Sequence, residues 1–351
     1  MGTAVDSGAQ PPAGPTAKDA GGELATPGTT SDSGGDDASA PGTPSDSGDD
    51  APAQEIPSEL RADMPAQPAM DSRADMPAHA PTDSRVDMPA QLPTDVGGGD
   101  RGASRGDLPS PAGTCPDFAA GVVTFEPAGG PRQVTITMTN AAATQRGPLI
   151  FYWYATGSSP REAGRGLPLG AITAAGGIVV APQDVANAGR FPWLSNLAQH
   201  DALFDEVVAC AVRKTMIDPR RIHVVGFSAG ALMTTHLSYA RSKFLASVAA
   251  YSGGAAGQFQ ESDNKFPALI FTGGPNDIVV QDFFQSSQQW QTTLKNAGHF
   301  TLFCNHMGGH SIPLQLVAGV WQFFQDHPYG TVPSPYAGGN VPGSLAPPCV
   351  E

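Results

Sequence analysis

Long apolar runs are missing from this 351-residue chain. No stretch approaches the roughly 20 apolar residues of a membrane-crossing helix, so no membrane span is expected. The opening Met1-Gly2-Thr3-Ala4-Val5-Asp6 lacks the basic start and apolar core of a secretory leader. Cysteine is scarce as well. The four residues Cys115, Cys210, Cys304 and Cys349 show no CxxC spacing, which argues against zinc and redox motifs. Their even number and wide spread suit two disulfides and an oxidising, extracytoplasmic compartment. Four cysteines allow three connectivities, and the sequence leaves the choice open. Cys115 and Cys349 bracket the region of globular composition, so pairing either one ties down an end.

Aromatic residues make up 7% of the chain, and none falls in residues 1–112. That stretch is built from Ala, Pro, Gly, Asp, Ser and Thr. It holds 19 of the 33 acidic and 6 of the 19 basic residues, and so carries −13 of the formal −14. High charge with little hydrophobicity cannot offset chain entropy, so residues 1–112 read as a disordered tail. Residues 113–351 are nearly neutral, which gives no electrostatic footprint for nucleic acid. Arg61-Ala62-Asp63-Met64-Pro65-Ala66 recurs at Arg73 and, with one change, at Arg85. The proline in each unit blocks regular helix, and each unit is too poor in apolar residues to stack as a solenoid. The repeats read as a charged linker, with tethering to a cell surface or matrix as its expected use.

From Val134 onward the pattern alternates strand and helix. Val134–Met138 alternates like an edge strand. Pro148–Trp153 and Gly177–Ala181 are short apolar runs, as in strands buried on both faces. Asp201–Lys214 has helical spacing of Leu203, Phe204, Val207, Val208 and Val212, with Asp201 as its cap. Arg221–Phe227 is a strand, and Ala229–Arg241 the helix after it. Further strands are expected at Leu245–Ala250, Phe266–Phe271 and Phe300–Cys304, and further helices at Asp282–Ala297 and Ile312–Asp326. The fold class is α/β, a mostly parallel sheet with helices on both faces.

Gly226-Phe227-Ser228-Ala229-Gly230 lies where strand passes into helix. G-x-S-x-G at such a junction is the nucleophile elbow: a sharp turn lifts the serine clear of the sheet, and the glycines let strand and helix approach. The helix N-terminus behind Ser228 supplies backbone N–H groups for an oxyanion, that of Ala229 first. A second donor is expected from the loop after Trp153, residues 154–158. A serine needs a histidine base, and the base needs a carboxylate to fix its tautomer. Downstream, Asp277 lies just past a strand end. Asp263 lies at the wrong end of that strand, and Asp282 reads as a helix cap. Among His299, His306 and His310, the last lies in the flexible Gly308-Gly309-His310-Ser311 loop and is the best placed to fold back over the serine. His223 and His236 sit inside elements and read as structural. Tyr154, Trp193 and Trp290, with Phe191, Phe283 and Phe284, lie on segments that could rim a substrate cleft; the core is the competing reading for each.

Several of these runs together resemble the polyhydroxybutyrate depolymerase/feruloyl esterase group of α/β-hydrolases. They are Phe151-Tyr152-Trp153-Tyr154-Ala155-Thr156-Gly157, Ile217-Asp218-Pro219-Arg220-Arg221-Ile222, Gly226–Gly230, Gly274-Pro275-Asn276-Asp277 and Gly308-Gly309-His310. The resemblance spans residues 115–329. It implies a secreted enzyme without metal or other cofactor, in which Ser228, Asp277 and His310 form a triad acting through an acyl-enzyme. It places the second oxyanion donor near Thr156. The implied substrates are polyhydroxyalkanoate-type polyesters or feruloyl and acetyl esters of plant polysaccharide. The group usually has His-Gly where this chain has Tyr154-Ala155, which alters the oxyanion loop. A serine peptidase of the same fold and an inactive surface-binding relative are the competing readings.

Overall fold

The alternating runs assemble around one sheet in the computed structural model, which describes residues 108–184 and 191–351. The acidic tail and its repeats lie outside the described residues. Nine strands form the sheet: β1 (Gly121–Phe125), β2 (Arg132–Thr137), β3 (Leu149–Trp153), β4 (Ile178–Pro182), β5 (Ile222–Phe227), β6 (Ser247–Tyr251), β7 (Ala268–Thr272), β8 (Thr301–Asn305) and β9 (Cys349–Val350). Their spatial order is β1-β2-β4-β3-β5-β6-β7-β8-β9. From β4 to β8 every neighbour is parallel, whereas β1, β2 and β9 pair antiparallel. This is the expected α/β-hydrolase architecture. Strands β3, β4, β6 and β7 are buried along their whole length, which is why their sequences are unbroken apolar runs.

Among the described residues six helices accompany the sheet: α1 (Ala163–Gly166), α2 (Leu169–Ala174), α3 (Leu197–Lys214), α4 (Ala229–Ala240), α5 (Phe283–Asn296) and α6 (Val317–Asp326). Successive strand residues point to opposite faces. Phe151 of β3 meets Phe204 of α3 at 4.3 Å, whereas its neighbour Tyr152 bonds Glu162 beside α1. Ile150, on the Tyr152 face, is level with His223 of β5, which stacks on Phe324 of α6 at 4.6 Å. Helices therefore cover both faces.

Three expectations need correction. Val134–Met138 is no edge strand, because β1 pairs outside it. β1 escapes a pattern search because most of its side chains are exposed. α3 begins four residues before Asp201, after Asn196 in the left-handed region (φ 66°). Asp201 does not cap it and instead accepts from His236 at 2.9 Å. The last helix proper starts at Val317, preceded by a short 3-10 turn at Leu314–Leu316.

The cysteines pair as Cys115–Cys210 and Cys304–Cys349. The first ties the segment before β1 to α3; the second joins β8 to β9. Cys115, Cys210 and Glu206 are spaced as metal ligands would be, but the two sulfurs are bonded to each other and offer no thiolate. Glu206 instead accepts the Ala112 N–H.

Candidate active site

Ser228 joins β5 to α4 with φ 55° and ψ −119°, a conformation that side chains rarely adopt. The turn survives because Gly226 and Gly230 have no Cβ. A Cβ on Gly230 would sit 1.8 Å from the Trp153 carbonyl oxygen, and one on Gly226 would sit 2.3 Å from that of Gly230. Strand and helix backbones thus touch where any other residue would force them apart. The Ser228 N–H donates to Tyr251 O of the neighbouring strand at 3.0 Å. The hydroxyl lies at the C-terminal edge of the sheet.

Asp277 follows a short turn after β7 and is fully buried. One carboxylate oxygen, Oδ1, accepts from His310 Nδ1 at 2.7 Å. The other, Oδ2, accepts from Ser252 Oγ (2.8 Å), Gly273 N (2.8 Å) and Thr272 Oγ1 (3.2 Å). Burial alone would raise this carboxyl. The bonds from His310, Gly273 and Ser252 together outweigh burial and hold it below the ordinary carboxylate value. An ionised Asp277 can only accept, so Nδ1 of His310 carries the proton of that bond and Nε2 is the nitrogen turned to the serine. That Nε2 lies 2.9 Å from Ser228 Oγ. The imidazole is held between Phe227 (4.9 Å) and Phe283 (4.6 Å).

The histidine loop is fastened to the aspartate loop. Gly309 N–H donates to Gly273 O at 3.0 Å, and His306 N–H to Thr272 O at 3.0 Å. A Cβ on Gly273 would meet Gly309 O at 1.8 Å, so this contact too depends on glycine. His306 accepts from Gly308 N–H at 3.2 Å and shapes the loop. His299 is buried and bonds Phe266 O at 3.0 Å, before the strands that carry the site. Asp282 caps α5 through Gln285 N–H at 2.8 Å.

The structure thus brings Ser228, Asp277 and His310 together. Ala229 opens α4 beside the serine, and Thr156 lies exposed in the turn closed by Ser158 N–H on Ala155 O. The cleft-rim reading of Tyr154, Trp193 and Trp290 is corrected: all three are buried at 2% exposure or less. Trp290 lies on the inner stripe of α5 with Phe283, Ser287 and Leu294. Trp193 packs on Trp153 and Tyr154 at 5.0 and 4.8 Å. Burying a Phe-sized ring is worth about 2–3 kcal/mol, which a solvent-facing rim forgoes. Exposed instead are Ile278, Val279, Val280, Met307 and Leu314, 39–65% accessible, on and beside the loops that carry Asp277 and His310.

Ser252, Thr272 and Phe227 are additions that sequence reasoning missed. Ser252 sits just past β6 with φ 48° and no exposure. Its only signal is its place at a strand end beside the elbow strand. Ser252→Ala is expected to lower kcat on a soluble ester about 3- to 10-fold, since a hydrogen bond to a charged group contributes about 1.5–3 kcal/mol, part of it lost here. A depressed folded-state pKa stabilises above the unfolded value and loses that stabilisation as pH falls through the folded value. The stability gap between wild type and variant should therefore be full at pH 7 and close under acid, as denaturant melts at the two pH values will show.

A family model described as phospholipase/carboxylesterase matches residues 195–327, which include Ser228, Asp277 and His310. No curated protein matches the chain. Among solved structures, native pOPH is 17% identical with a TM-score of 0.53, covering 63% of this chain and 90% of its own. Native sOPH is 15% identical with a TM-score of 0.53, covering 64% of this chain and 92% of its own. At such identity these two establish the fold. The fold is thus that of the α/β-hydrolases, and residues 195–327, the part of the chain that carries the site, are similar to the phospholipase/carboxylesterase family.

Proposed function

We propose that the chain is an extracytoplasmic serine esterase in which Ser228, His310 and Asp277 form the catalytic triad. The observation that carries this is the unbroken chain of two short hydrogen bonds from Asp277 Oδ1 through His310 to Ser228 Oγ, at 2.7 and 2.9 Å. Ser228 Oγ attacks the ester carbonyl carbon while His310 Nε2 takes its proton. The carbonyl oxygen becomes an oxyanion facing the N–H of Ala229 and a donor of the 154–158 loop, assigned to Thr156. Collapse expels the alcohol, which leaves with the proton from His310. Water, deprotonated by the same nitrogen, then cleaves the acyl-enzyme and releases the acid. The inactive, purely binding reading is disfavoured by a serine already bonded to its base.

The substrate reading is a polyhydroxyalkanoate-type polyester, with feruloyl or acetyl esters of polysaccharide as the alternative. The exposed Ile278, Val279, Val280, Met307 and Leu314 support the first, because apolar side chains on and beside the loops that carry Asp277 and His310 fit a water-insoluble ester better than a sugar-bearing one. The two disulfides support an oxidising compartment. Residues 1–112 are proposed as a linker to a surface or matrix.

A fluorophosphonate probe is expected to label the native protein once, on the peptide containing Ser228, and not the heat-denatured protein. Native protein that stays unlabelled would sink the triad reading. A panel of p-nitrophenyl butyrate, feruloylated sugar and polyhydroxyalkanoate film then separates the substrate classes.

A further inference from the structure

Tyr154 stands at the end of β3 and is buried, yet it is tied at both ends. Its carbonyl accepts from Trp193 Nε1 at 2.6 Å, and its phenol oxygen accepts from Asp184 N–H at 2.8 Å. Asp184 and Trp193 flank residues 185–190 on either side. A second buried brace holds the same flanks. Arg132 donates to Gln183 O at 3.0 Å and lies 3.4 Å from His200 Nδ1. His200 Nε2 lies 3.1 Å from both Pro192 O and Ser195 O. Burial, helped by the Arg132 charge, pushes His200 down to about 4, so the ring is neutral, donates from Nε2 and accepts at Nδ1. On the other side, Ala155 N–H is fixed by Glu162 at 3.0 Å. The 153–154 backbone presses on the first turn of α4: a Cβ on Gly230 would lie 1.8 Å from Trp153 O and 2.8 Å from Tyr154 O.

We infer that Tyr154 is a positioning residue for ester hydrolysis: it sets the loop after β3 against the elbow by bonding Asp184 and Trp193, without touching substrate. The inference rests on the serine esterase reading above. Oxyanion donors work only when aimed at where charge develops, so a slack loop weakens transition-state binding more than ground-state binding. The Tyr154-Ala155 pair, where the resembling group has His-Gly, is on this view a different means of fixing the loop.

The test uses Tyr154→Phe, which removes the phenol bond and keeps the ring, and Trp193→Phe, which removes the indole N–H. On p-nitrophenyl butyrate, Tyr154→Phe is expected to lower kcat about tenfold with KM within about twofold of wild type. Inhibition by phenylboronic acid, which forms a tetrahedral adduct with an active serine, should weaken by the same factor. Trp193→Phe should behave alike, and the double variant should lose less than the product of the two. A purely structural role would lower the melting temperature and leave kcat and boronate inhibition together unchanged. Tyr154→Phe within twofold of wild type in both readouts, with wild type inhibited normally, overturns the inference alone. Wild type indifferent to the boronate overturns the serine reading and the inference with it.

Discussion

Ser228→Ala is expected to abolish turnover of p-nitrophenyl butyrate, lowering kcat about 10⁴-fold or more, with the fold intact. Alanine keeps the Cβ and therefore the elbow. It removes the oxygen that His310 Nε2 approaches at 2.9 Å. Ser228→Gly should be equally inactive yet more stable than Ser228→Ala by about 1 kcal/mol, because glycine adopts φ 55° without strain. The pair separates chemistry from conformation: both lose activity, and only one relaxes the turn. Ordinary turnover in Ser228→Ala would place the nucleophile elsewhere.

Asp277→Asn should come second in size, with kcat lowered about 10³- to 10⁴-fold. The three donors around Oδ2 decide how the asparagine sits. Ser252 Oγ, Thr272 Oγ1 and Gly273 N all present hydrogens there. The amide oxygen must take that place, since an NH₂ group would face three donors. The NH₂ then points at His310 Nδ1 and donates to it. Nδ1 becomes an acceptor, the ring proton moves to Nε2, and the nitrogen facing Ser228 can no longer take its proton. The variant should therefore keep a near-native fold and substrate affinity while losing kcat and fluorophosphonate labelling together. A drop below about tenfold would show that the carboxylate does not set the tautomer.

The candidate triad was legible because its positions follow local rules. A strand running into G-x-S-x-G and then a helix marks Ser228. Asp277 and His310 lie on loops after strand ends, in the chain order expected of such a site, and the structure sets them within hydrogen-bonding distance. The long helices and buried parallel strands were legible from apolar runs and periodicity. Other features carry no such mark. β1 shows mostly exposed side chains, and α1 and α2 are only 4 and 6 residues long. The cysteine pairing depends on which segments end up adjacent in the fold: Cys115 lies against α3, and Cys304 and Cys349 lie on neighbouring strands. Trp290 sits seven residues, two helical turns, after Phe283, and that spacing already placed both on one inner stripe. The aromatic-rim reading gave too little weight to it. Ser252 is an ordinary serine before two glycines. Its importance exists only once β6 lies between β5 and β7.

A parallel sheet ending at β8 would leave Phe303 and Cys304 with unpaired backbone groups, a template on which another chain could add a strand. β9 covers those two positions, and its Cys349 is bonded to Cys304 directly opposite. The cover is only two residues long, so hydrogen bonding alone would hold it weakly. The covalent link makes it permanent under oxidising conditions. The cystine beside the histidine loop thus acts as a stopper, keeping another chain from adding a strand at Phe303 and Cys304.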